Sequence, residues 1–427
     1  MNEPVSTASP VSTPALPALD ALAQSTFLWE KFRALWSGIL ETAGTTFLLL
    51  IAVKQFQAGP NAKAAVAAGG NAGLLLTPMV VFFVARSGMR VAGAAALMSA
   101  FGALCFLVAA LVPDVHFFVS GSVLGVLMTT ASIPLLTQMY HDNYPALQRG
   151  RIFSRTFVIR ILSAIVFSYA AGWLLEIDIG LYRWIILCFA IALAASSFCL
   201  YHCPSGTLPN DKTLRPFAGM RHVRDDITFR RTLMSWMLMG FANLMMVPMR
   251  VEFLANPQHG AAKSAAIVAL LTGIVPNAAR LVLSPVWGRL FDSMNFFTLR
   301  IILNIGFAFG ALAFFTGDSM AGLVIGAIIF GVSMAGGDIA WNLWVTKMAP
   351  PEHVAEYMSM HTFFTGIRGV LAPIVAFQCL QTISFATLSL GCAVLMVIAC
   401  VLLIPEMLAA RQIRMNGVAP LVDEASE

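Results

Sequence analysis

Glu41, Arg160, Arg280, Asp338 and Arg368 each stand inside a long apolar stretch of this 427-residue sequence. A charge near the centre of a bilayer costs about 2.5–3.5 kcal/mol on insertion scales, so each of the five needs a partner or a water-filled cavity. Two chemistries suit these residue types. A carboxylate enclosed in a membrane, Glu41 or Asp338, can take up and release a proton during a working cycle. A guanidinium, Arg160 or Arg368, grips a carboxylate or phosphate through two parallel N–H groups. Pairing Arg160 with Glu41 and Arg368 with Asp338 would make fixed or gating ion pairs and leave one positive charge over, which favours an organic anion as ligand. Glu41 reads equally as a proton carrier or as a side chain held permanently by Arg160, Thr45 and Ser37. Asn243, Asn277, Asn342 and Gln138 offer neutral hydrogen bonds to a ligand or between helices. Trp341 and Trp344 flank Asn342, where one could stack on a ligand or pack in a core.

The elements that carry these residues are twelve apolar stretches, each near the roughly 20 residues that a spanning helix needs. They lie at 33–54, 64–86, 91–112, 116–139, 155–175, 181–202, 230–252, 264–288, 298–317, 319–346, 357–381 and 383–404. A helix rises 1.5 Å per residue, which puts Arg368 about 16 Å into its span and Glu41, Arg280 and Asp338 about 12 Å from the ends of theirs. The chain is 59% hydrophobic and 11% charged, with mean hydropathy +0.81. No soluble domain of this size could bury so much apolar surface, and an all-α protein of the lipid bilayer is expected. Residues 1–29 predict a disordered tail, because they are rich in Ala, Pro, Ser and Thr and have no basic residue to open a signal peptide. Bundles are expected over 30–202 and 229–405, with a polar loop over 203–228 and a second tail over 406–427. The seven Cys lie in spans or at a span end, which indicates packing and no disulfide framework.

Lys and Arg are unevenly shared between the two sets of loops. If the N-terminus is cytoplasmic, the outer segments hold only Lys54, Lys63, Arg183, Arg250 and Lys263, while most of the rest, Arg300 among them, fall inside. By the positive-inside rule both termini are expected in the cytoplasm, with the chain in the plasma membrane, for a bacterium the inner one. The basic residues are too dispersed for a nucleic-acid site. The seven His lack metal-ligand spacing, and no catalytic triad, phosphate loop or dinucleotide fingerprint occurs. Hence no enzyme, metal or cofactor is expected.

The chain also repeats itself. Phe32-Arg33, Pro78, Thr137, Met139 and Thr156-Phe157 return in the same order as Phe229-Arg230, Pro285, Thr346, Met348 and Thr362-Phe363. Two matching bundles in one chain are the physical basis of many secondary transporters, since one half can rock against the other around a central site. Between the eighth and ninth spans stands Pro285-Val286-Trp287-Gly288-Arg289-Leu290-Phe291-Asp292-Ser293. The loop after the second span carries a worn copy, with Val81 and Ala85 in place of Gly and Asp but Arg86, Gly88 and Arg90 kept. This pattern, with twelve spans and a long central loop, resembles the major facilitator superfamily over residues 30–405. The resemblance implies a monomer with spans three, six, nine and twelve at the periphery, so that all five membrane charges fall on cavity-lining spans. It further implies that Gly288, Asp292, Arg86 and Arg90 belong to contacts that latch the halves on the cytoplasmic side, Asp292 near the start of span five around Arg151 to Arg155. In members that couple to protons a first-span carboxylate often carries the proton, a role that would fall to Glu41.

The function expected is alternating-access transport of a small organic solute, an organic anion favoured, facilitative or coupled to a proton as in symport. A drug–proton antiporter is the alternative, weakened because the fifth span from Arg160 to Trp173 lacks the Gly-Pro signature of such exporters. A membrane receptor that moves no solute is the rival from another class. The topology has a direct test in a background without native Cys. Asp114→Cys and Asp318→Cys should react with an impermeant thiol reagent added to intact cells, and Asp211→Cys should not; the opposite pattern would invert the orientation.

Overall fold

A computed structural model describes residues 20–208, 217, 219–258, 262–316, 319–350 and 353–415. Among them are twelve helices long and apolar enough to cross a membrane: α1 (Ala21–Lys54), α2 (Pro60–Ser87), α3 (Val91–Leu111), α4 (Val115–Asn143), α5 (Ile152–Ile177), α6 (Ile179–His202), α7 (Ile227–Ala255), α8 (Ala265–Ser293), α9 (Phe296–Phe315), α10 (Met320–Leu343), α11 (Glu356–Cys379) and α12 (Phe385–Ala410). Helices suit a membrane because they satisfy their own backbone N–H and C=O groups where no water can. Side-chain caps from Asp20, Asp114, Asp226, Ser264, Asn295, Ser319 and Ser384 serve the free N–H groups at seven of the starts.

Helices α1–α6 and α7–α12 form two bundles, and the repeated residues fall on equivalent elements: α1 with α7, α2 with α8, the ends of α4 and α10, and the starts of α5 and α11. Helix α3 packs on α4 and α6, and α9 on α10 and α12. Their outer faces present Leu97, Leu104 and Phe309 to the surroundings, as lipid contact requires. The seam between the halves is built by α2 against α11 and α5 against α8.

Several boundaries differ from the sequence expectation. Helix α1 begins at Ala21, inside the segment expected to be a tail, because the Asp20 carboxylate accepts from the Ala23 N–H at 2.7 Å and starts the helix early. The central loop contains a short helix, Met220–Asp225, and the chain after Ile404 continues helical to Met415. Arg300, expected in a loop, lies one turn inside α9 and is 1% exposed; Arg250 and Lys63 are buried as well. The helices extend beyond their apolar cores, so residues at span ends are drawn into the protein.

The halves meet most tightly at the end remote from the termini. There Lys63 of α2 pairs with Glu252 of α7, both buried, and Asn256 donates to the same carboxylate at 2.7 Å. Lys54 Nζ donates to the Lys263 carbonyl at 2.7 Å, Gln378 Nε2 to Asn61 Oδ1 at 2.8 Å, and the Ala266 N–H to Glu176 Oε2 at 3.2 Å. Outside this seal a vestibule of about 930 Å³ is lined by Gln57, Lys63, Glu176, Asp178, Asn256 and Ser264.

Inside the first half, α1 and α5 touch at Gly38. A Cβ there would overlap the Arg160 carbonyl and come within 2.8 Å of Ser163 Cβ, and neither the helix backbone nor Ser163 can yield. Gly38→Leu should therefore lower stability by about 1–3 kcal/mol, by the cost of overpacking. Gly391→Ala, where a Cβ meets open space, should leave the melting temperature unchanged; equal melting of both variants would show that the α1–α5 contact is loose.

Candidate functional site

The charged centre of the molecule is positioned by two irregular turns. Helix α1 widens into a π-helical segment at Ala43–Phe47 and α8 into another at Leu270–Ile274. These turns face each other across the seam, where Thr46 Oγ1 and Thr272 Oγ1 are 3.1 Å apart. A π turn inserts an extra residue and rotates the helix on one side of it relative to the other, and such turns recur at functional sites. Glu41 lies just before the first and Arg280 just after the second.

Four of the five membrane charges join here. Arg160 Nε donates to Glu41 Oε2 at 2.7 Å, both from the first half. Arg280 Nε donates to Asp338 Oδ2 at 2.5 Å, both from the second. Arg280 Nη1 crosses the seam to Glu41 Oε1 and also reaches Asn277 Oδ1 at 3.3 Å. The Phe157 ring lies 5.1 Å from the Arg160 guanidinium and 5.0 Å from that of Arg280, within cation–π range of both. Two guanidinium and two carboxylate groups make the cluster neutral, which removes most of the penalty for holding charge at this depth.

The four groups differ in what they leave free. The Arg280 side chain is 3% exposed and bonded through Nε and Nη1, and Glu41, at 17%, has both oxygens bonded. Asp338 is 30% exposed and Arg160 34%. Asp338 uses one oxygen in its ion pair, and Arg160 only its Nε, so a carboxylate oxygen and the terminal guanidinium nitrogens of these two partly exposed side chains stay outside the ion pairs. Such a pair can accept a proton on one side and hold an anion on the other.

Other residues singled out in the sequence fall elsewhere. Arg368 does not pair with Asp338: α10 packs along α8, which brings Arg280 to Asp338, while Arg368 turns into the second bundle and donates through Nη1 to the Trp236 carbonyl. It is 5% exposed. Asn342 is exposed and bonds its own helix at the Asp338 carbonyl, 2.7 Å away. Asn243 is half-buried and Trp341 rests against His361 at 5.4 Å. Trp344 is fully buried among Phe229, Phe296 and Trp236. Asp292 is exposed, a Cβ on Gly288 would meet open space, and Arg86 and Arg90 lie on the surface over Phe82 and Tyr201. Arg155 is exposed, and the side chain of Arg151 lies outside the described residues.

Sequence spacing held no sign of two further clusters. Lys63 and Glu252, both counted at span ends, form the buried pair across the seal. His222 and His353, far apart in the chain, both meet Glu356, at 2.7 and 3.7 Å, with Arg221 on the same carboxylate at 3.1 Å. Their ligand atoms lie within 4.8 Å of one another, but the guanidinium already occupies the charge that a metal would need. This cluster ties the short central helix to the start of α11.

Removing Arg280 leaves Asp338 without its ion pair and Glu41 with one partner. Arg280→Met should thus destabilise the protein by about 3–5 kcal/mol, the usual cost of orphaning a buried charge. Adding Glu41→Gln and Asp338→Asn to that variant should recover most of the loss in a thermal melt; if Arg280→Met melts like the native protein, the cluster does not hold the halves.

No protein-family model and no curated protein sequence matches the chain. Solved structures do. A mutant form of the nucleoside transporter NupG superposes with a TM-score of 0.71 at 14% identity over 89% of this chain and 99% of its own. A D-xylose–proton symporter gives 0.68 at 14% identity over 90% and 98%. The human organic anion transporter MFSD10 gives 0.65 at 13% identity over 90% and 98%. Identity this low speaks for the fold alone, but coverage is nearly complete on both sides, and twelve helices in two six-helix repeats leave one conclusion: the chain has the fold of the major facilitator superfamily.

Proposed function

We propose that this protein is a secondary transporter that moves a small organic solute, with an organic anion as the favoured class, by alternating access of its two halves. The reading rests on one observation above all: Arg280 of the second half is clamped between Glu41 of the first and Asp338 of its own, at the seam and inside three of the spanning helices. A link of opposite charges between two rocking bodies is strong enough to hold one state and can be released by a change of one charge.

In this scheme the terminal nitrogens of Arg160 receive the anionic group of the solute, with Asn243 and Trp341 on the opposite half as further contacts. Asp338, with one oxygen free, takes up the proton that weakens its hold on Arg280. Glu41, bonded at both oxygens, is the pivot. Both termini lie in the cytoplasm, in the plasma membrane, and this state is sealed on the outer side by Lys63–Glu252 and its neighbours. Asp292 and Gly288, uncrowded in this state, engage the other half when the inner side closes. Similar folds that carry a nucleoside, a sugar with a proton and an organic anion fit solute transport.

Purified protein in proteoliposomes gives the test, with a panel of labelled carboxylates and phosphorylated compounds. Native protein should accumulate one of them when a pH gradient is imposed. Asp338→Asn should keep exchange of that solute at equal pH but lose gradient-driven accumulation. Arg160→Lys, which keeps the charge but not the fork, should raise the half-saturating concentration about tenfold or more, matching the loss of one charge-assisted bond. Gradient-driven accumulation by Asp338→Asn at the native level would exclude the proton role.

A further inference from the structure

On the side of the second bundle nearer the termini lies a group of cationic side chains that the central cluster does not use. Arg300 of α9 and His361 of α11 are each 1% exposed, and Arg368 of α11 is 5%. Every nitrogen of the Arg300 guanidinium lacks a hydrogen-bond partner, as do both ring nitrogens of His361 and Nε of Arg368. The single bond in the group is from Arg368 Nη1 to the Trp236 carbonyl. All three side chains converge on one aromatic ring. The Arg300 guanidinium lies 3.5 Å from the Trp236 ring centre, the Arg368 guanidinium 5.8 Å, and the His361 ring 5.1 Å. One turn beyond Trp236, Gly240 makes this possible, since a Cβ there would overlap the Arg368 guanidinium.

Two like charges on one ring, with no carboxylate paired to either among the described residues, cannot be a complete arrangement. A ring quadrupole attracts each cation but does not cancel their repulsion. Buried charges are paired and buried donors are bonded, and here the open guanidinium positions of Arg300 and Arg368 are all donors, while the unpartnered amide of Asn304, one turn along α9 from Arg300, is neutral and cannot balance them. Water would supply acceptors yet leave the charge uncompensated. The missing component is therefore an anion. The surroundings are packed rings, which favours a small ion: fully buried Trp344 lies 5.1 Å from the His361 ring, Trp236 also 5.1 Å from it, and Phe229 stacks on Trp344 at 5.6 Å. An organic acid would not fit among packed rings, and a polyvalent oxyanion would give up too much hydration. We propose that a monovalent inorganic anion of halide size is bound between Arg300, Arg368 and His361 beside Trp236, as a structural counter-ion of the second bundle. The site is separate from the central cluster and does not depend on which solute is carried.

Native protein in detergent tests this directly. Its melting temperature in sodium chloride or bromide should exceed that in sodium gluconate of equal ionic strength by about 3 °C or more, saturating with halide concentration as ligand linkage demands. Chloride-35 resonance should broaden with added protein. The double variant Arg300→Met with Arg368→Met should lose both effects, while Arg231→Met, which removes an exposed arginine paired with Glu406 elsewhere in the same bundle, should keep them. Should the double variant fail to fold, crystals grown in bromide decide the matter by an anomalous peak between Arg300 and Arg368. Equal melting in chloride and gluconate without line broadening, or a bromide peak only elsewhere, overturns the proposal.

Discussion

Lipid offers no counter-charge, and the arrangement of this protein follows from where its buried charges find one. Arg280 is the clearest case: almost fully enclosed, it holds one carboxylate from its own half and one from the other. To bring the three groups together, α1 and α8 each depart from α-helical geometry for a turn, α5 closes on α1 at Gly38, and α8 packs along α10. None of these features is favourable alone. A π turn weakens local hydrogen bonding, and a glycine in a helix costs about 1 kcal/mol relative to alanine. They persist because the neutral four-member cluster they assemble offsets a larger penalty, that of several unpaired charges in a membrane.

The seam is not uniform along its length. Toward the remote end it closes through a buried Lys63–Glu252 pair and two hydrogen bonds to backbone, at the base of the vestibule. At the centre it closes through the Arg280–Glu41 pair and the Thr46–Thr272 contact, beside groups that are about a third exposed. The rocking motion proposed above would need such a seam, sealed at one end and held by charges in the middle. In the scheme proposed above the proton falls to Asp338 and not to Glu41, because Asp338 keeps one oxygen outside its ion pair while both oxygens of Glu41 are engaged.

Repetition of the chain has produced equivalent helices but not equivalent chemistry. Arg160 and Arg368 lie on α5 and α11, which correspond in the two halves, yet one joins the seam and the other faces inward onto Trp236. The cause is register. Arg160 follows the repeated Thr156-Phe157 by fewer residues than Arg368 follows Thr362-Phe363, and two residues of difference turn a side chain by about 200° around a helix. The second half thereby acquires a cationic core with no counterpart among the described residues of the first.

The number of spanning helices, their grouping into two bundles and five of the buried charges were legible in the sequence, because each depends on local quantities: apolar length, repeated residues and the rarity of charge in lipid. The pairing Arg160–Glu41 was also among the readings that charge alone suggested. Which arginine meets Asp338 was not, since Arg280 and Arg368 are equal as charges and differ only in which helix faces they occupy. Nor could spacing reveal that Lys63 reaches Glu252 or that Arg300 leaves its expected loop for the core. Composition determines that charges in a membrane must be matched; only the packing of helices decides the partners, because a helix displays its residues around a full circle and a shift of one or two positions selects a different neighbour.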